Sequence, residues 1–255
     1  DEALQVSPLY GQGYELSWLG TADDNRGMVL TSSQAIVVVF RGTRLQKHTL
    51  LDKAELVVIN QNDLWTDGQF FPAVSKAGGR VHSGFSKAYA EVNAQLDALV
   101  RGKRPEQAVW LAGHSLGGAL ATLAAAHLGA DAVHGLYTYG CPRVGDASFA
   151  QAAVTRHCRF VHRSDFIPTI PPEVMGYRHT GDLYEVPGSP ARKFWEDFGA
   201  GATVLKSALL AMAKELRVNV GDLPLKVAGI ADHSPIYYAT LLWNALLASA
   251  DQPVE

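Results

Sequence analysis

Cysteine is nearly missing from this chain of 255 residues. Cys141 and Cys158 are too few for a disulfide-built scaffold, and their spacing is not that of a CxxC metal knuckle, although one bridge between them stays open at this level. An excess of one charge is also lacking. Lysine and arginine number 22 against 25 acidic residues, a formal net charge of −3, so no domain-wide basic field gathers phosphates and nucleic acid is not an expected partner. Long apolar runs are absent too: the longest candidate, 199–213, is broken by Lys206 and falls short of the roughly 18 to 20 residues that span a bilayer, so no transmembrane segment is expected. The chain opens Asp1-Glu2-Ala3 without a charged-then-apolar leader, which reads as a signal peptide either absent or already removed. HExxH, a Walker loop and GxGxxG do not occur, and neither metal nor cofactor is expected.

What is present describes a folded globular chain. Hydrophobic residues make up 47% and charged residues 18%, which argues against a disordered or fibrous polymer. Residues 1–255 read as a single domain, with a shift in composition at about 188–230 that marks a helical insertion. Short β-branched runs at 35–40, 108–112, 136–139 and 158–162 read as buried strands. Helical patterns lie between them: Phe85, Ala88, Tyr89, Val92, Leu96 and Leu99 recur at helical spacing, and 116–128 is a run of alanines and leucines. This alternation predicts an α/β fold, a mostly parallel central sheet with helices on both faces, whose chemistry sits at the carboxyl ends of the strands.

One strand end carries a recognisable pattern. Val109-Trp110-Leu111-Ala112-Gly113-His114-Ser115-Leu116-Gly117-Gly118 runs from an apolar strand through Gly-x-Ser-x-Gly into a helix of small residues. A pentapeptide of this kind is weak alone, and an ordinary glycine-rich turn is the bland alternative. The flanking strand and helix favour a nucleophile elbow, where glycines remove the side chains that would collide in a strained turn. Ser115 is then the candidate nucleophile. The Leu116 backbone N–H, at the amino end of the helix, is a candidate oxyanion donor.

A serine nucleophile needs a base and an acid, which in such folds follow it in the order acid, then histidine. His127 falls in the helix after the elbow and His162 inside an apolar strand, where a hydrogen-bonded core role is the simpler reading. His233 lies on a loop: Asp232-His233-Ser234-Pro235 precedes an apolar helical run to Leu247, with Ser234 placed as N-cap and Pro235 at the first helical position. His179 is the fallback base. Asp165 follows the strand 158–162 and opens the turn Phe166-Ile167-Pro168, the position expected of the acid. Its competitor Asp146 reads better as the N-cap of a helix at 147–155.

With these residues in place, the chain resembles the class 3, fungal-type triacylglycerol lipases of the α/β-hydrolase fold. The resemblance rests on Ile36-Val37-Val38-Val39-Phe40-Arg41-Gly42-Thr43, Val81-His82-Ser83-Gly84-Phe85, Gly113 to Gly118, Thr138-Tyr139-Gly140-Cys141-Pro142-Arg143-Val144-Gly145-Asp146, Phe160 to Pro172 and Asp232-His233. It implies a triad of Ser115, Asp165 and His233, with Thr43 as the second oxyanion donor and His82 as a structural histidine beside the site. It also implies hydrolysis of acylglycerol or similar lipid esters through an acyl-enzyme, transient contact with a lipid interface, and secretion. An esterase acting on soluble or feruloyl esters and a catalytically dead lipid-binding module are the alternatives. Residues 44–65 match the family's short lid helix poorly. The insertion at 188–230, with Val204, Leu205, Ala208, Leu209, Met212 and Leu216 on one helical face, reads equally as a lid or as a helix packed permanently on the core.

Overall fold

The structure is a computed structural model that describes residues 13–21, 25–42, 45–50, 54–59, 72–153, 156–162, 165–186, 233, 235 and 238–242. Its strands are β1 Glu15–Gly20, β2 Asn25–Thr31, β3 Ala35–Phe40, β4 Leu45–Leu50, β5 Ala54–Ile59, β6 Pro72–Val74, β7 Arg80–His82, β8 Ala108–His114, β9 Gly135–Tyr139, β10 Gly145–Asp146, β11 His157–His162, β12 Tyr177–Arg178 and β13 Asp182–Val186. Its helices are α1 Ser83–Ala90, α2 Asn93–Arg101, α3 Leu116–Leu128 and α4 Ala147–Ala152.

Seven strands form the central sheet in the order β1-β2-β3-β8-β9-β11-β13. The two pairings among β1, β2 and β3 are antiparallel, and those from β3 through β8, β9 and β11 to β13 are parallel. This is the mostly parallel α/β-hydrolase sheet expected from the alternation of runs. Smaller assemblies, β12-β10-β7-β6 and the hairpin β4-β5, lie outside it.

Among the described residues, the main hydrophobic cluster lies on one face of that sheet. In register, Ile36 opposes Val109, Val38 opposes Leu111 and Leu111 opposes Leu136, and all five side chains are buried. Helix α3 covers them with every residue from Leu116 to Ala125 buried, and α1 and α2 pack against α3. A helix can be buried all round only if small residues let it approach the sheet, which explains its alanines and glycines. Each large aliphatic residue withdrawn from water here contributes about 2 kcal/mol. The opposite face carries Trp110, His114, Tyr137, Tyr139 and Phe160, with the rings of Tyr139 and Phe160 stacked at 5.3 Å. Tyr238, in the helical stretch 238–242, packs there against His114 and Tyr139.

Two expectations are adjusted. The apolar periodicity from Phe85 to Leu99 spans two helices, because the chain breaks at Glu91 and Val92, where Val92 adopts φ −123°, ψ −9° outside the helical range. Buried Val92 and Leu96 keep the apolar face continuous across the break, so periodicity alone does not expose it. The helix after Asp146 also stops early, at Ala152. Cys141 and Cys158 are free thiols, and burial pushes that of Cys141 up to about 12. The insertion at 188–230 lies outside the described residues.

Candidate active site

Ser115 stands between β8 and α3 at φ 57°, ψ −127°, the one non-glycine residue at positive φ among the described residues. Such a conformation costs on the order of 1–3 kcal/mol and persists only where its surroundings over-determine it. Here they do. The Ser115 N–H donates to the Tyr139 carbonyl at 3.0 Å, and the Ser115 carbonyl accepts from Gly118 at 2.9 Å as the helix begins. A Cβ on Gly113 would lie 2.1 Å from the Gly117 carbonyl oxygen, so strand and helix meet in a turn that admits no side chain there. The Leu116 N–H is the first of α3 and has no acceptor within the helix, as an oxyanion donor requires. The second expected donor, Thr43, lies outside the described residues. Its neighbour Gly42 brings the end of β3 beside the nucleophile: a Cβ there would be 3.6 Å from the Ser115 Cβ.

Asp165 follows β11 with its carboxylate fully buried. It is satisfied on both oxygens. Oδ1 accepts from the Ile167 N–H at 2.9 Å, and Oδ2 accepts from the Tyr238 hydroxyl at 2.7 Å. His233 Nδ1 reaches both oxygens, at 3.1 Å from Oδ1 and 2.9 Å from Oδ2. With Nδ1–H donating to the carboxylate, the lone pair of the neutral ring belongs to Nε2, the form a general base needs. The structure thus joins the expected acid to the expected base across 68 residues of chain.

His114, the last residue of β8 and next to the nucleophile, holds His233 from a second side. Its Nε2–H donates to the His233 carbonyl at 2.6 Å, and the two imidazoles lie 4.5 Å apart with planes inclined by 34°. Burial first, and then the neighbouring His233, push His114 down to about 3, so its ring is neutral at ordinary pH. Among the described residues the Ser115 hydroxyl makes no hydrogen bond; contacts of this kind are often loose without substrate and tighten in the complex.

Four other histidines among the described residues are held elsewhere. His179 donates Nε2–H to the Pro168 carbonyl at 2.7 Å and is pushed down to about 3 by burial and by Arg159 and Arg143. His127 meets Asp97 at 2.9 Å, and His157 is held between Thr138 and Thr180. His82 is buried against the ring of Phe85 at 4.3 Å and pushed down to about 4, the environment of a structural histidine. Asp146 caps α4, its Oδ1 accepting from the Phe149 N–H at 2.8 Å, which removes it from the chemistry.

Three neighbours of the site escape sequence reasoning: His114, Tyr238 and Gly140. A Cβ on Gly140, at φ +56°, would sit 2.6 Å from Asp165 Oδ2 and 2.8 Å from His233 Nδ1, so glycine keeps the space in which acid and base meet. Its signal was a glycine directly after a predicted strand. Tyr238 was hidden within an apolar helical run, and His114 by its place between two residues with stronger reasons.

Comparison with known proteins bears on the family and the fold. The lipase (class 3) family matches residues 37–175, more than half of the chain. The chain is similar to secreted mono- and diacylglycerol lipase 1 of Fusarium solani, 43% identical over 124 residues, which cover 46% of this chain and 37% of that protein. It is similar to the lipase of Rhizomucor miehei, 34% identical over 182 residues, 66% of this chain and 47% of that one. The crystal structure of the lipase from Rhizopus microsporus var. chinensis superposes with a TM-score of 0.56 at 29% identity, covering 71% of this chain and 64% of that chain. The match spans half or less of the length of these curated relatives. On the extent of the family match, this chain belongs to the class 3 lipase family.

Proposed function

We propose that the chain is a serine carboxylic ester hydrolase acting on acylglycerol or similar lipid esters. One observation carries the reading: a serine at positive φ between a parallel strand and a helix, at the same carboxyl end of the sheet as an imidazole hydrogen-bonded to a buried carboxylate. In the proposed cycle, His233 Nε2 takes the Ser115 proton while Oγ bonds to the ester carbonyl carbon. The amide N–H groups of Leu116 and Thr43 stabilise the oxyanion. The imidazolium then protonates the leaving alcohol as its C–O bond breaks, leaving an acyl-enzyme. Water, deprotonated by the same ring, releases the acid and restores Ser115. Asp165 holds the ring in the Nδ1–H tautomer and stabilises its charged form. The lipid character of the substrate, and export from the cell, follow the relatives named as lipases, one of them as secreted.

The test is hydrolysis of p-nitrophenyl esters and triglycerides of increasing chain length, with Ser115→Ala as blank and an organophosphonate as label. The rate should fall about a million-fold in the variant, and the label should be found on Ser115. Turnover retained by the variant, or label on another residue, would remove this assignment.

A further inference from the structure

Tyr238 makes a connection that neither the sequence pattern nor the proposed cycle uses. Its side chain is buried, 2% exposed, five residues after His233. The hydroxyl oxygen lies 2.7 Å from Asp165 Oδ2 and 2.9 Å from the backbone nitrogen of His162, the last residue of β11. The direction of both hydrogen bonds follows from chemistry. A backbone N–H only donates, so the phenol oxygen must accept from His162, and its single proton is left for Asp165, which as a carboxylate only accepts. The carboxyl end of β11 therefore sets where the hydroxyl proton points. The ring is fixed as well, lying edge-on to His114 at 5.7 Å, to Tyr139 at 6.2 Å and to His162 at 6.2 Å.

A buried tyrosine serving only to fill space would leave its hydroxyl a burden, since burying it without partners is costly. Here the hydroxyl completes the acid. The Ile167 N–H holds Oδ1 and Tyr238 holds Oδ2, so two donors besides the imidazole keep the carboxylate from turning away from His233. Tyr238 also lies on the chain segment that carries His233, so the bond closes a short loop between base and acid.

We infer that Tyr238 is a positioning residue for the proposed ester hydrolysis, its hydroxyl fixing the Asp165 carboxylate and, through it, the imidazole of His233. The inference rests on the reading of Ser115, Asp165 and His233 given above. Its test is a double-mutant cycle on the full chain, pairing Tyr238→Phe with Asp165→Asn and reading p-nitrophenyl butyrate hydrolysis and the rate at which an organophosphonate labels Ser115. Loss of one hydrogen bond to a charged group predicts that Tyr238→Phe lowers kcat about tenfold with KM unchanged. In the Asp165→Asn background, where the residual rate is already about ten thousand-fold down, removing the hydroxyl should cost nothing further. Wild-type kcat in Tyr238→Phe, or an equal loss in both backgrounds, overturns the inference, because a tyrosine that merely stabilises the fold does not act through Asp165. Should Tyr238→Phe fail to fold, 4-aminophenylalanine at position 238 keeps a donor toward Asp165. In that variant, kcat within about threefold of wild type supports the inference, and a rate as low as that of Asp165→Asn overturns it. A wild-type protein that neither turns over the ester nor takes the label at Ser115 removes the parent reading, and this inference with it.

Discussion

The turn at Ser115 and the loop at His233 hold neighbouring groups of one proposed site by opposite means. The turn is local: strand, serine and helix are consecutive, and Gly113 and Gly117 lie within two residues of Ser115 on either side. The loop is distant in sequence from everything that holds it. His233 depends on Asp165, 68 residues earlier, and on His114, 119 residues earlier. A local device is encoded by residue types at fixed spacing. A distant one depends on separate stretches of chain reaching the same edge of a sheet, and its partners can lie anywhere.

The largest effect should come from Gly113→Ala. The added methyl meets backbone 2.1 Å away with no flexible side chain to yield, so the turn must open. Ester hydrolysis should drop at least about a thousand-fold, and stability should fall by about 2 kcal/mol or more in urea unfolding. Near-normal stability would show that the turn tolerates what its geometry forbids. Gly140→Ala should strike the other region. Its methyl would displace a carboxylate oxygen and an imidazole nitrogen rather than the core. Activity should fall about a hundred-fold with a smaller loss of stability than Gly113→Ala. Equal stability losses in the two variants would erase the contrast between a turn built into the core and a pair assembled at its edge.

A smaller effect concerns pH. His82 is pushed down to about 4, and His114, His157 and His179 to about 3, in each case first by burial. Each is neutral in the fold but takes up a proton in the unfolded chain below roughly 6.5, so the unfolded state binds more protons and stability is lost as pH falls. Between pH 7.5 and 5.5 each should cost at most about 1.4 kcal/mol, measured as a shift of the urea midpoint. His114→Gln should flatten part of that slope. A slope unchanged in the variant would place His114 in a wetter setting than its contacts indicate.

These comparisons explain what could be read in advance. The strands at 35–40, 136–139 and 158–162 were legible as short runs rich in apolar and β-branched residues, each ended by Gly, Pro or a polar turn, and Asp146 as a cap because its bond spans three residues. The break at Val92 was not, since the apolar face continues through it. Asp165 and His233 could be named by order and by their position on loops. Tyr238 could not, because within its own helical run it resembles any other apolar residue that fills a core.

By itself the sequence determined the alternation of strands and helices, the turn around Ser115 and the residue types available for acid and base. All of these follow from side-chain volume, backbone freedom and periodicity acting over a few residues. Only the tertiary structure decided that His233 rather than His179 meets Asp165, that His114 grips the loop of the base, and that the proton of Tyr238 points at the carboxylate. Hydrogen bonds act over about 3 Å, and which groups come that close is settled by the packing of strands and helices far apart along the chain.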